Sequence, residues 1–333
     1  LQNFANEVLR NSFANLEKIM WAYCFRKLLY NIPVYLAIIL LVMGALRVRN
    51  PVHGHLGKNA KEEDIAKLEA KMGLDKPFLV QYARFLTTFD VNTESWVQKG
   101  KTVGQILQRS IVPSLSLTLP ALVLSTVMAV CVAMISAYFR GRTTDKVLVF
   151  FAVLGMCVSF LVYIIFGQYF GAYRLNAWAG QEIFAISGYE PGVVNWVHYC
   201  LLPVLISVIV SLGYDTRFYR AVMVEESQAD YITTARAKGA SKLKVMFVHM
   251  LKNAMIPIIT QVVISLPFLI MGSILLELYF NISGMGRELI GAVNSGDFPV
   301  VQALTAVFSA LYILAIILTD VLYALVDPRV RLS

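Results

Sequence analysis

The sequence predicts an all-α integral membrane protein with six transmembrane helices, and three observations predict it. Hydrophobic residues make up 58% of the 333 residues and charged residues only 15%, whereas a soluble domain has about half apolar and about a quarter charged residues. Mean hydropathy is +0.65. The apolar residues are also gathered into long runs, and roughly 20 mostly apolar residues are what a helix needs to cross the hydrocarbon core.

The six runs cover 28–46, 113–139, 146–171, 200–213 (short, with Trp196 an alternative start), 254–280 and 301–326. Pro33, Pro120, Pro203, Pro257 and Pro267 fall inside or beside them. Membrane helices tolerate proline because neighbours re-satisfy the carbonyls it frees. Charged residues, not a small-residue cleavage site, follow the first run, so it reads as a retained helix and not as a signal peptide.

Lys and Arg set the expected orientation. Arg140, Arg142 and Lys146 lie between the second and third runs. Arg217, Arg220, Arg236, Lys238, Lys242, Lys244 and Lys252 lie between the fourth and fifth. Arg26 and Lys27 precede the first run, and Arg329 and Arg331 follow the last. The short alternate loops hold only Arg174 (173–198) and Arg287 (282–299), and the loop 47–112 is basic too, but long loops translocate largely regardless of charge. Both termini are therefore expected in the cytoplasm. The formal charge of +8 is read as this topological bias, with no nucleic acid partner.

The expected organisation is a cytoplasmic extension over 1–27, a first span over 28–46, an extracytoplasmic lobe over 47–112 and a five-span core over 113–333. Within the lobe, helices are expected over Lys61–Met72 (ended by Gly73), over 77–89 and over 102–111. In the extension, Phe4, Val8, Leu9, Phe13, Leu16 and Met20 share one helical side. Two readings stay open for it: an interfacial helix on the membrane, or a helix packed on the rest of the protein. Cys24, Cys131, Cys157 and Cys200 have no metal-ligand spacing and read as small buried apolar residues.

Segment 225–257 is the most informative part of the chain. It opens with Glu225 and Glu226, and Thr233 to Ala237 suits a short helix. Gly239 is placed to end that helix and Ser241 to cap the next. A helix–Gly–helix between two spans makes a knob suited to docking in a groove on a soluble partner.

Tyr231, Thr234, Ala235, Arg236, Ala237, Lys238 and Gly239, followed by His249, Leu251, Asn253 and Ala254, resemble the cytoplasmic EAA loop of ABC importer permeases. The likeness is to the dipeptide, oligopeptide and nickel group, which carries His249 to Lys252 where the general pattern has Ile-x-Leu-Pro. It runs from about Arg26 to the end. Gly73 to Pro77 resembles the outer-loop signature of the B-type subunit. Glu277, Phe280, Gly284 and Gly286 resemble the end of its fifth helix, Asp297 to Gln302 the start of its last, and Asp320, Tyr323 and Asp327 to Arg329 its closing motif. Arg49, Asn50, Pro51 and Asn92 depart from the group's outer-loop pattern.

The resemblance implies a type I ABC importer (MetI-like) fold in the bacterial inner membrane. It implies a second homologous permease subunit as a heterodimer partner, two cytoplasmic ATPase subunits and an extracytoplasmic substrate-binding protein. ATP and Mg would be bound by those partners, with no cofactor in this chain and no enzyme activity of its own. The loop around Tyr231, Thr234, Ala235, Arg236, Ala237, Lys238, Gly239, His249 and Asn253 would form the coupling helix. Peptides are the expected cargo. Nickel or another metal chelate, glutathione or an oligosaccharide is the alternative on the same fold.

Other features are set against this reading. Gly100, Lys101 and Thr102 end like a phosphate loop, but Ser95 stands where the pattern needs a glycine. His53 and His55 are spaced for metal contact, but no acid or cysteine stands near them and they read as solvated; His198 is also expected on the outer side. Glu277 and Asp320 are ionisable residues within apolar runs, and such residues mark pathways or structural pairs. Both alternatives stay open here, as does an ion-coupled secondary transporter using the two acids. Tyr163, Phe166, Tyr169, Phe170 and Tyr173 read as an interfacial aromatic belt.

Overall fold

A computed structural model describes residues 2–47, 63, 66, 69–70, 74–87 and 91–326, with the side chains of 2–22, 24, 266–272, 320 and 322–326 outside the described set. The helices, in order, are α1 (Gln2–Leu46), α2 (Phe78–Thr87), α3 (Val103–Tyr138), α4 (Thr143–Cys157) and α5 (Phe160–Ala179). They continue with α6 (Val193–Tyr199), α7 (Leu201–Glu226), α8 (Asp230–Ala237), α9 (Lys242–Lys244, Val245–Met250 and Leu251–Gly272 in continuous helical conformation) and α10 (Ile274–Tyr279). The last two are α11 (Met285–Ser295) and α12 (Phe298–Val326). Among the described residues, five stretches are long and apolar enough to cross a membrane: Phe25–Leu46, Val103–Tyr138, Leu201–Glu226, Lys242–Ser265 and Phe298–Thr319. Counting the bent pair α4–α5 as one span makes six.

The chain divides into two compact units. The first comprises Leu1–Val112, Ser283–Ile317 and Leu332–Ser333. In it Ile39 and Met43 of α1 pack with Ala306 of α12 and with Phe78, Tyr82, Phe85 and Leu86. Tyr82 Oη donates to the Leu36 carbonyl at 2.9 Å, tying α2 to α1. A second cluster joins Val103, Ile106 and Leu107 to Met285, Ala292, Val300 and Leu304. Asp297, buried at the α11–α12 corner, accepts from Ser95 Oγ and from the Trp96 N–H (3.2 Å), and Trp96 stacks on Phe298 at 5.4 Å. The Gly100–Thr102 motif has a structural use here. Gly100 takes φ +78 in a turn that lets Glu94 bridge Thr102 and the Ser95 N–H reach the Lys101 carbonyl.

The second unit comprises Pro113–Ile282 and Leu318–Arg331. One of its cores gathers Leu117, Ala121, Ile164, Cys200, Leu202, Val204, Ile206, Leu276 and Phe280. Another gathers Ala129, Ala133, Met134, Tyr219, Met223, Ile232, Ala235, Val245, Met246 and Met250. The prolines show how a membrane helix absorbs their cost. Pro120 has no N–H to offer the Ser116 carbonyl, and the Trp196 indole N–H serves it at 2.9 Å. Pro267 leaves the Val263 carbonyl free in the same way, and Thr319 Oγ1 reaches it at 3.4 Å.

The structure corrects several sequence expectations. The run 146–171 is not one straight rod, because Val158 and Ser159 are extended and α4 and α5 meet at 96°. At ~1.5 Å per residue, the 15 residues of α4 reach only about 22 Å. The helix expected over 102–111 and the span over 113–139 are one 36-residue helix, α3. The fourth span does not stop at 213; α7 continues to Glu226 and takes Arg217 and Arg220 into the helix. Hydropathy stops counting at Tyr214 and Asp215, whereas backbone hydrogen bonding does not. Of the cysteines, Cys200 is buried but Cys131 and Cys157 are exposed on the helix surfaces. The expected helix Lys61–Met72 lies largely, and Gly73, His53 and His55 wholly, outside the described residues. The helix expected over 77–89 is α2.

Candidate functional site

The segment from Glu225 to Pro257 forms a helix–Gly–helix corner. Gly239 ends α8 with φ +78, a left-handed conformation that side chains with a Cβ rarely adopt. The Gly239 N–H bonds the Arg236 carbonyl at 2.9 Å and the Ala240 N–H bonds the Ala235 carbonyl at 3.1 Å. This is a Schellman closure, with Ala240 packed against the apolar cluster that holds Ala235. Ser241 then caps α9, its Oγ accepting from the Lys244 N–H at 3.3 Å. Nothing lies within 4 Å of where a Gly239 Cβ would stand, so the glycine is required by conformation and not by crowding.

The corner is mounted on a core. Ile232 and Ala235 point inward with Val245, Met246 and Met250 against Ala133, Met134, Tyr219 and Met223. Tyr231 donates to the Glu226 carboxylate, and the Asn253 amide lies beside the same phenol. Burial first, and then the Glu226 hydrogen bond, raise the Tyr231 pKa above its ordinary value. Thr234, Arg236, Ala237, Lys238 and Gly239 form the exposed tip, and Thr234 Oγ1 donates back to the Asp230 carbonyl at 3.1 Å. His249 is half-buried in the π-helical turn Val245–Met250 of α9. Two of the sequence-derived residues, Tyr231 and Asn253, are thus brought together, while Arg236 and Lys238 face outward.

The acids chosen from the sequence have different places. Glu277 is fully buried at the start of α10, its carboxylate accepting from Ser114 Oγ (2.6 Å) and Ser273 Oγ. It has no exposed surface from which to line a pathway in this conformation. The Asp320 side chain lies outside the described residues. Of the aromatic group, Phe166, Tyr169, Phe170 and Tyr173 are exposed, and Tyr163 turns back to donate to the Gly155 carbonyl at 3.1 Å. His198 bonds the Ile183 carbonyl at 2.9 Å through Nδ1.

Sequence reasoning missed an ion pair whose carboxylate is buried and whose guanidinium is half-buried. Arg220 of α7 donates to Asp145 of α4 through Nε and Nη2, both at 2.8 Å. Asp145 also accepts from Ser136 Oγ on α3 and from the Gly141 N–H at 2.9 Å. The two residues are 75 positions apart, and in the sequence Asp145 is one acid among Arg140, Arg142 and Lys146. Asp215, half-buried, is a further acid on the membrane-length helix α7 that the longer helix reveals.

Residues 129–332 match the family of binding-protein-dependent transport system inner membrane components. The chain is 32% identical to the "Probable peptide ABC transporter permease protein y4tP" of Sinorhizobium fredii, over 94% of this chain and 100% of that relative. It is equally, 32%, identical to the glutathione transport system permease protein GsiC of Salmonella paratyphi A, over 94% of this chain and 99% of that one. A GsiC of Pectobacterium atrosepticum is similar to the same degree. The family match covers more than half of the sequence, and these relatives align along nearly all of it. With its several membrane-length apolar helices, the chain is a multi-pass inner membrane protein that belongs to the family of binding-protein-dependent transport permeases.

Proposed function

We propose that this chain is the membrane-spanning subunit of an ATP-driven importer that takes up peptides delivered by an extracytoplasmic binding protein. It works beside a second, homologous permease and on two cytoplasmic ATPase subunits, which bind ATP and Mg. The observation that carries the reading is the α8–Gly239–α9 corner, with Arg236, Lys238 and Lys244 exposed on a rigid mount. A knob of this kind transmits force only if it does not deform, and its apolar underside and Schellman closure make it stiff. In this reading the corner and both termini are cytoplasmic, in line with the Lys and Arg distribution. Thr234, Arg236, Ala237, Lys238 and Gly239 form the docking surface, Ala235 anchors it from the core beneath, and Tyr231, His249 and Asn253 fix it on α9.

Peptide cargo is favoured by the likeness to the Sinorhizobium relative, a probable peptide ABC transporter permease. Glutathione is the second reading, favoured by the equally similar Salmonella permease. Both cargoes carry an ammonium and carboxylates, so the discrimination belongs to a competition experiment. The test is reconstitution of the chain with its genomic neighbours in lipid vesicles. Uptake of labelled peptide should need ATP, be blocked by vanadate, and rise with loaded binding protein. Uptake that ignores vanadate and follows an ion gradient would overturn the reading.

A further inference from the structure

We infer that the turn Tyr138–Arg142, between α3 and α4, is a second working part of the coupling apparatus. It is gripped on both sides by the α8–α9 corner and is fastened to α7 through Asp145 and Arg220. The inference rests on the coupling role proposed above and names the residues that would carry the motion onward.

The turn is well defined. The Arg140 N–H bonds the Ala137 carbonyl, the Arg142 N–H bonds the Phe139 carbonyl at 2.9 Å, and Gly141 takes φ +80. Ahead of α8, the Gln228 amide oxygen accepts from Arg140 Nη1 (2.9 Å) and Nη2 (3.2 Å) in the amide orientation that satisfies both donors. Behind α8, Lys242 Nζ donates to the Tyr138 carbonyl at 2.8 Å and lies 3.9 Å from the Tyr138 ring centroid. Lys242 is therefore turned toward α3. The two grips bracket α8 in sequence, and Ala137 and Tyr138 share the apolar core beneath it.

Apolar contact resists compression but lets surfaces slide. Directional bonds at two separated points prevent sliding, so the turn must follow the corner in both push and pull. The next link is stiffer. Asp145 is 4% exposed and held by Ser136, the Gly141 N–H and the two parallel bonds from Arg220. A bidentate carboxylate–guanidinium pair has a fixed orientation. Motion of the turn reaches the ends of α3, α4 and α7 together. Arg140, Gln228, Lys242, Asp145 and Arg220 are thus positioning residues for the transport cycle.

The experiment uses the assembled transporter in vesicles and reads peptide taken up per ATP hydrolysed. Arg140 and Lys242 are exposed, so the pair Arg140→Ala and Lys242→Ala removes both grips without touching the core. The double variant should keep its basal ATPase while uptake per ATP falls about tenfold, equal to the loss of ~1.4 kcal/mol of coupling. Gln228→Ala should give a smaller loss of about threefold, and Lys242→Arg, which keeps a donor and a cation, should stay near the native ratio. An unchanged ratio in the double variant would overturn the inference, and so would a Lys242→Arg ratio as low as that of Lys242→Ala. A native complex without ATP-dependent uptake would instead overturn the proposed function, so the two failures are distinguishable.

Discussion

Gly167 and Gly171 lie against α7 on the π-wound stretch of α5. A methyl group at Gly167 would stand 2.4 Å from Ile206 Cδ1 and 2.8 Å from Ile206 Cγ1. Carbon atoms settle at about 3.5–4.0 Å, so Gly167→Ala creates an overlap of roughly 1 Å. Ile206 is buried in a packed core and β-branched, which leaves it one strongly preferred χ1 in a helix. Overpacking of this kind costs about 1–3 kcal/mol, and the upper half of that range is expected. At Gly171 the clash is with Leu202 Cδ1 at 2.7 Å, the far end of a more adaptable side chain, so Gly171→Ala should cost less.

Ile206→Ala should itself cost about 2–5 kcal/mol by leaving a cavity. In that background the new methyl at position 167 enters vacated space, so Gly167→Ala should become neutral or stabilising. The coupling energy of the double-mutant cycle should then be about 1–3 kcal/mol in the stabilising direction. The assay is unfolding of the assembled transporter in lipid nanodiscs, compared as inactivation half-lives if the transition is irreversible. If Gly167→Ala costs the same in both backgrounds, the close approach of α5 and α7 is not what makes position 167 a glycine.

Glu277→Ala should destabilise the second unit by about 3 kcal/mol, since it leaves Ser114 and Ser273 without their acceptor and opens a cavity. Glu277→Gln should be milder, and thermal unfolding of the two variants checks the order. Gly239→Asn should be tolerated because Asn enters left-handed backbone, whereas Gly239→Val should cost about 1–2 kcal/mol and lower uptake per ATP. Tyr231→Phe should lower stability by about 1 kcal/mol at neutral pH. The folded Tyr231 pKa lies above the ordinary 10.0, so the folded state holds its proton where the unfolded state loses it. The contribution is therefore present below about pH 10 and lost as pH rises further, and the gap to Tyr231→Phe should narrow there in denaturant titrations.

Much of the candidate site could be read directly from the chain. A glycine after a short polar helix and a serine two residues later encode a break and a cap by local geometry. The Gly239 and Ser241 expectations therefore match the structure in detail. Local chemistry did not reveal partners. Arg220 was read as a topological charge, and its role as the fork on Asp145 appears only when α7 runs past Asp215. Glu277 read equally as a pathway or a structural acid, and nothing local to it pointed to Ser114, 163 residues away, as a donor to its carboxylate.

Taken alone, the sequence determined that the chain is helical and membrane-embedded, with a capped polar corner between two spans. Transfer of apolar side chains into lipid is nearly additive along a run, and caps act within a few residues, so both can be read in one dimension. Tertiary structure decided where the third run breaks by 96°. It also decided that Trp196 and Thr319 serve the carbonyls that Pro120 and Pro267 leave free. Hydrocarbon offers no hydrogen bonds, so each stranded polar group must find a protein partner, and which residue arrives at that partner's place depends on how the helices pack.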